Sequence, residues 1–258
     1  MSEQQKSRRK KLLWLIPLAL ILLFCGAFFI YTGDYYRTND KALARLQSGG
    51  SVTVTKTDYG YFFDGPSETD ALIFYPGAKV EETAYAPLMH ELAASGMDVC
   101  LVKMPFHIAF FGMNEATAIM DSFESPTENH YTHWYIGGHS LGGAVAAIYA
   151  AKNAETMSGL VLLAAYPTKP LDESLNVVSI YGSEDGVLNM EKLEEGEQYM
   201  PSQSKTVEIQ GGNHAQFGNY GFQRGDGEAA ISAKNQQEET VRLILKWLNI
   251  GSDGGRNK

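Results

Sequence analysis

Five short runs in this chain are almost wholly apolar: residues 71–75 (ALIFY), 98–103 (DVCLVK), 133–137 (HWYIG), 160–165 and 177–181. Stretches with helical spacing recur between and after them, over 82–95, 115–122, 140–152, 190–199 and 236–248, and a last strand is expected at 206–210. A strand that is apolar on both faces must be covered on both faces, as happens when helices lie on either side of a parallel sheet. The expected fold is therefore α/β, a mostly parallel, doubly wound sheet with helices on both faces. Residues 52–57 and 59–64 read as two β-rich strands joined by a tight turn, an antiparallel edge on that sheet. Residues 51–250 make one unit of ordinary domain size, without repeats or low-complexity tracts.

A second constraint precedes this unit. Leu12 to Tyr31 is 20 residues without a charge, preceded by Arg8, Arg9, Lys10 and Lys11. About 20 apolar residues in a helix span a hydrocarbon core of about 30 Å. Flanking basic residues stay in the cytoplasm. The expected order is a cytoplasmic basic head (1–11), a transmembrane signal anchor (12–31), a tether (32–50), an extracytoplasmic catalytic domain (51–250) and a flexible tail (251–258). This describes a single-pass protein of the cell membrane. The alternative is a cleavable signal with Cys25 and Ala27 before the cut, against which apolar residues continue through Phe28, Phe29, Ile30 and Tyr31. Either way the body lies outside the cytoplasm.

Composition removes other classes. Two cysteines make no disulfide framework, and no Cys/His pairs stand at zinc spacing, so no metal is expected. The net charge is −9; taking the five basic residues and one acid of residues 1–33 out of the chain's 21 and 30 leaves 16 against 29, a balance of −13. Nucleic-acid partners need clustered Lys and Arg and are not expected.

The chemistry clusters just after expected strands. Gly138-His139-Ser140-Leu141-Gly142 follows HWYIG and opens an Ala-rich helix, the strand–turn–helix setting in which a serine nucleophile is exposed on a tight turn. Serine needs a base, normally a histidine held by an acid. Asp185 follows the strand at 177–181 and is the expected acid; Glu184, one residue away, is the alternative. His214, in Gly211-Gly212-Asn213-His214 after the strand at 206–210, is the expected general base. His90 lies in an expected helix, and His130 and His133 precede the serine strand. The expected oxyanion donors are the amide of Leu141 and that of Ala78 in Tyr75-Pro76-Gly77-Ala78-Lys79. His139, inside the turn, would pack or contact substrate. His107 and Phe110, in the apolar stretch 107–113 (HIAFFGM), would line an acyl wall or simply pack beneath a loop.

These residues carry a resemblance. The GHSLGG turn, the YPGA loop, the SEDG turn and the GGNH loop, in that order over about residues 51–250, resemble the α/β-hydrolase family. The stretch 214–221 (HAQFGNYG) is similar to small membrane-anchored bacterial members. The resemblance implies a Ser140–Asp185–His214 triad and no metal or organic cofactor. It also departs from the family pattern: YPGA stands where many esterases have HGGG, and residues 166–176 are too few for a helical lid. The expected function is a serine hydrolase, most simply a carboxylesterase acting on a small-molecule or envelope ester. The same triad would serve an acyltransferase or a peptidase, and a non-catalytic binding module on this fold is the alternative from another class. Oligomeric state, acyl-chain length and natural substrate are not written in these motifs.

Overall fold

The computed structural model describes residues 3–124 and 131–250; the tail expected at 251–258 lies outside them, as does His130. The chain divides into two compact units between Tyr35 and Tyr36. The first is helix α1, Glu3–Gly33, which continues through Pro17. Its segment Leu15–Gly33 is long and apolar enough to cross a membrane.

The second unit begins earlier than residue 51. Tyr36 donates its N–H to Lys79 O (2.7 Å) and accepts from Glu81 N (2.9 Å), and Ala42 is fully buried on the short helix α2, Asp40–Leu43. Much of the segment expected as a tether is thus built into the body, because its backbone pairs with residues 79–81.

The sheet strands are β1 Thr53–Thr57, β2 Gly60–Asp64, β3 Asp70–Tyr75, β4 Asp98–Val102, β5 His133–His139, β6 Gly159–Leu163, β7 Asn176–Gly182 and β8 Lys205–Ile209. The longer helices are α3 Ala86–Ala94, α4 Glu115–Ser122, α5 Leu141–Lys152, α6 Met190–Glu197 and α7 Ala233–Trp247. The strand order is β1-β2-β4-β3-β5-β6-β7-β8, with β2 antiparallel to both its neighbours, β1 and β4, and every other pair parallel. Side chains alternate across it. Leu72 and Phe74 pack with Leu88, Leu92, Val241 and Ile244 of α3 and α7. Ile73 and Tyr75 pack with Ile119, Val145 and Ala146 of α4 and α5 on the other face. Each fully buried side chain of this kind contributes roughly 1.5–3 kcal/mol, which is why both faces must be covered. Residues 164–175, between β6 and β7, contain no helix. All the parallel strands end at one edge, so the loops after β3, β5, β7 and β8 converge there.

One buried acid sits away from that edge. Asp98 is fully buried, accepts from Gly65 N (2.8 Å) and from the Tyr131 hydroxyl (2.7 Å), and burial raises its pKa to about 6. A carboxyl whose folded pKa exceeds its unfolded value binds its proton more tightly when folded. The chain therefore gains stability as pH falls through about 6 toward the unfolded value of 3.8, and loses it as pH rises. Asp98→Asn keeps a donor and an acceptor at that position without the buried charge. Urea unfolding should find the variant more stable than wild type at pH 7.5, by on the order of 1–3 kcal/mol, with the gap closing near pH 4. An equal gap at both pH values would contradict this.

Candidate active site

Ser140 joins β5 to α5 with φ 52° and ψ −124°, a left-handed conformation that side chains rarely adopt. Such a residue costs about 1–3 kcal/mol and persists only where its surroundings hold it. Here the Ser140 N–H donates to Leu163 O (2.8 Å) and its carbonyl accepts from Ala144 N (3.1 Å). The turn also packs tightly against the loop after β3. A Cβ on Gly142 would strike the carbonyl oxygens of Tyr75 and Pro76, and one on Gly77 would lie 2.8 Å from His139 Nδ1. Glycines are required at both positions for this close approach.

The loop at 76–79 is held from several sides. The Tyr85 hydroxyl accepts from Gly77 N (3.1 Å) and lies 2.8 Å from His139 Nδ1, while Lys79 N donates to His107 O (2.8 Å). Burial pushes the Tyr85 phenol well above its usual range, so it stays protonated beside His139. Burial and the neighbouring His214 push the His139 imidazole well below its usual value, so it is neutral. The amides of Ala78 and Leu141 have no hydrogen-bond partner among the described residues.

His214 and Asp185 come from the loops after β8 and β7. His214 Nδ1 lies 2.8 Å from Asp185 Oδ2, and both side chains are 1% exposed. The other Asp185 oxygen accepts from Val187 N (2.9 Å) and Leu188 N (2.7 Å), which fixes the carboxylate plane. Glu184 points elsewhere: it is exposed and accepts from the Ser183 hydroxyl (2.9 Å). His214 Nε2 is buried without a hydrogen-bond partner among the described residues. His214 and Ser140 both line a cleft of about 320 Å³, with Leu141, Ala144, Ala165, Tyr166 and Leu188.

Three residues considered as substrate contacts do not line this cleft. His139 is 1% exposed and its ring packs against His214, with centroids 4.5 Å apart; it is a packing residue because Tyr85, Phe217 and His214 enclose it. His107 and Phe110 sit on the loop after β4, joined to residue 79 by backbone, with Phe110 49% exposed.

Three supporting residues carry no sequence motif. Tyr85 links the 76–79 loop to His139. Gln236 on α7 accepts from Asn213 N (3.0 Å) and donates to Asn213 O (2.7 Å), bracing the residue before His214. Asp226 holds backbone amides around both Asp185 and His214. Among the described residues no cluster of His, Cys, Asp and Glu could hold a metal ion.

Comparison with known proteins agrees with the architecture. The alpha/beta hydrolase family model matches residues 71–238. A search of curated sequences finds no match. Among solved structures, Est1E from Butyrivibrio proteoclasticus superposes with a TM-score of 0.53 at 16% identity, over 78% of this chain and 100% of that one. A hydrolase from Thermoplasma acidophilum, named CIB-like by prediction, gives 0.54 at 16% identity over 78% and 99%. A protein of Klebsiella pneumoniae subsp. pneumoniae, provisionally named a dienelactone hydrolase, gives 0.59 at 14% identity over 78% and 99%. At such identities the likeness is one of fold. With a family match across most of the second unit, and with the sheet order and edge loops described above, the chain belongs to the alpha/beta hydrolase family.

Proposed function

We propose that this chain is a serine hydrolase of carboxylic esters, with Ser140 as nucleophile, His214 as general base and Asp185 as the acid that orients it. The single observation that carries the reading is the buried Asp185–His214 pair, whose unpartnered Nε2 belongs to the same cleft as Ser140. Because Asp185 accepts the Nδ1 proton, Nε2 carries a lone pair and can take the Ser140 proton as the hydroxyl attacks. The amides of Ala78 and Leu141 would receive the developing oxyanion, a contribution of about 2.7–4 kcal/mol for a single such donor. His214 then returns the proton to the leaving alcohol, and water repeats the sequence on the acyl-enzyme.

The remaining expectations belong to the same proposal. α1 anchors the chain in a membrane, with Arg8–Lys11 on the cytoplasmic side and the catalytic unit outside. The substrate is a small ester of the envelope. The Klebsiella neighbour's provisional name is that of a lactone hydrolase, and lactones are cyclic esters.

The cleft is near the small end of ligand sites and is walled by Ala144, Ala164, Ala165, Tyr166 and Leu188. Short acyl groups fit it. In a p-nitrophenyl ester series, kcat/KM should rise over the first acyl carbons and then level off, since burial gained per added CH₂ ends where the cleft does. Activity that rises steadily to long chains would contradict the assignment of this cleft to the acyl group. Adding a competing alcohol tests the outcome of deacylation: free acid as the main product supports hydrolysis, and ester exchange would replace it with acyl transfer.

A further inference from the structure

Asp226 lies between the turn at Ala215–Phe217 and α7, in the sequence Arg224-Gly225-Asp226-Gly227. Its Oδ1 accepts from Gly186 N (3.2 Å), His214 N (3.2 Å) and Gly227 N (2.9 Å), and its Oδ2 from Ala215 N (2.8 Å). Gly186 directly follows Asp185. One carboxylate thus grips the backbone on both sides of the Asp185–His214 hydrogen bond.

The two loops are also joined further back, where Ser183 N donates to Ile209 O (3.0 Å) and Glu184 N to Gly212 O (2.8 Å), continuing the pairing of β7 with β8. That pairing ends before the functional side chains. Beyond it, Asp226 holds the backbone of the acid loop to that of the histidine loop. An ionised carboxylate suits this task because hydrogen bonds to a charged acceptor are short and strong, and one group can serve several donors.

We infer that Asp226 is a positioning residue for the reaction, setting the distance and angle between Asp185 and His214 without touching the reacting atoms. The inference rests on the triad proposed above. It assigns a role to a carboxylate that forms no hydrogen bond with Ser140 or with the His214 ring.

The test uses the full-length chain in detergent, with Asp226→Ala and Asp226→Asn, each assayed well below its own unfolding midpoint. Asp226→Ala should lower kcat for p-nitrophenyl acetate about 100-fold while KM changes little, the effect expected of a misplacement on the order of 1 Å. Asp226→Asn keeps one acceptor oxygen and should fall between the two. A second readout does not need turnover: the downfield proton resonance of His214 Nδ1–H, present in wild type, should broaden or vanish in Asp226→Ala. A folded Asp226→Ala with wild-type kcat and an intact resonance would overturn the inference, as would a loss of kcat no larger than the variant's unfolded fraction accounts for. If the alanine variant does not fold, Asp226→Asn decides on both readouts. If wild type hydrolyses no ester, it is the ester-hydrolase reading that fails. The resonance alone then judges Asp226: its loss in the variant supports positioning and its persistence refutes it.

Discussion

Ser140→Ala should lower kcat for a short p-nitrophenyl ester by at least about 10⁴-fold and leave the fold intact. The loss is large because the proposed triad would act as a unit: without the nucleophile, His214 would have no hydroxyl to deprotonate and Asp185 no imidazolium to stabilise. Only the oxyanion amides and substrate binding remain. The fold is spared because Ser140 is held through its backbone, by Leu163 O and Ala144 N. Ser140→Gly extends the test. It should be equally inactive yet more stable than wild type by about 1 kcal/mol, since glycine carries no penalty at φ 52°. A dead variant that gains stability would show that the backbone strain serves the nucleophile. If Ser140→Gly is instead destabilised, the strain argument fails. If Ser140→Ala keeps its activity, the assignment of the nucleophile fails.

Asp185→Asn should cost about 10³–10⁴-fold in kcat, whereas Glu184→Gln should change it little. The size follows from which atom faces the imidazole. Val187 N and Leu188 N both donate to Asp185 Oδ1, so the introduced amide must keep its oxygen there and turn its NH₂ toward His214 Nδ1. Nδ1 then has to accept, the ring proton moves to Nε2, and Nε2 can no longer take a proton from Ser140. Glu184 has no such leverage; its carboxylate is exposed and paired with Ser183. Steady-state kinetics on the two variants checks both halves, and a reversed order would transfer the acid's role to Glu184.

The parallel sheet was legible because β3 and β4 are apolar on both faces, and that pattern has few other structural solutions. The convergence of Ser140, Asp185 and His214 was legible for a related reason: each follows a strand, and parallel strands deliver their ends to one edge. The pairing of β2 with β4 was not readable, since a strand's register records which side chains are buried and not which neighbour covers its edge. Nor was the inclusion of Tyr36 in the body, which depends on backbone bonds to residues 43 or more positions away. Asp226 was hidden for the opposite reason. In Arg-Gly-Asp-Gly it looks like any solvated turn, and its task exists only once two other loops have been brought to it. Tyr85 and Gln236 are likewise ordinary helix-side residues until the fold presents a backbone amide to each. His139 sits inside the most informative motif of the chain, and burial gives it a packing role beside Tyr85 and His214.

The central claim is that Ser140 is an activated nucleophile. Its most direct test is to treat the folded full-length chain with a serine-directed fluorophosphonate and map the adduct by peptide mass. One adduct per chain, on Ser140, abolished by Ser140→Ala and by His214→Ala, is the predicted result. A folded wild type that remains unlabelled, or that carries its adduct on another residue, would contradict the account.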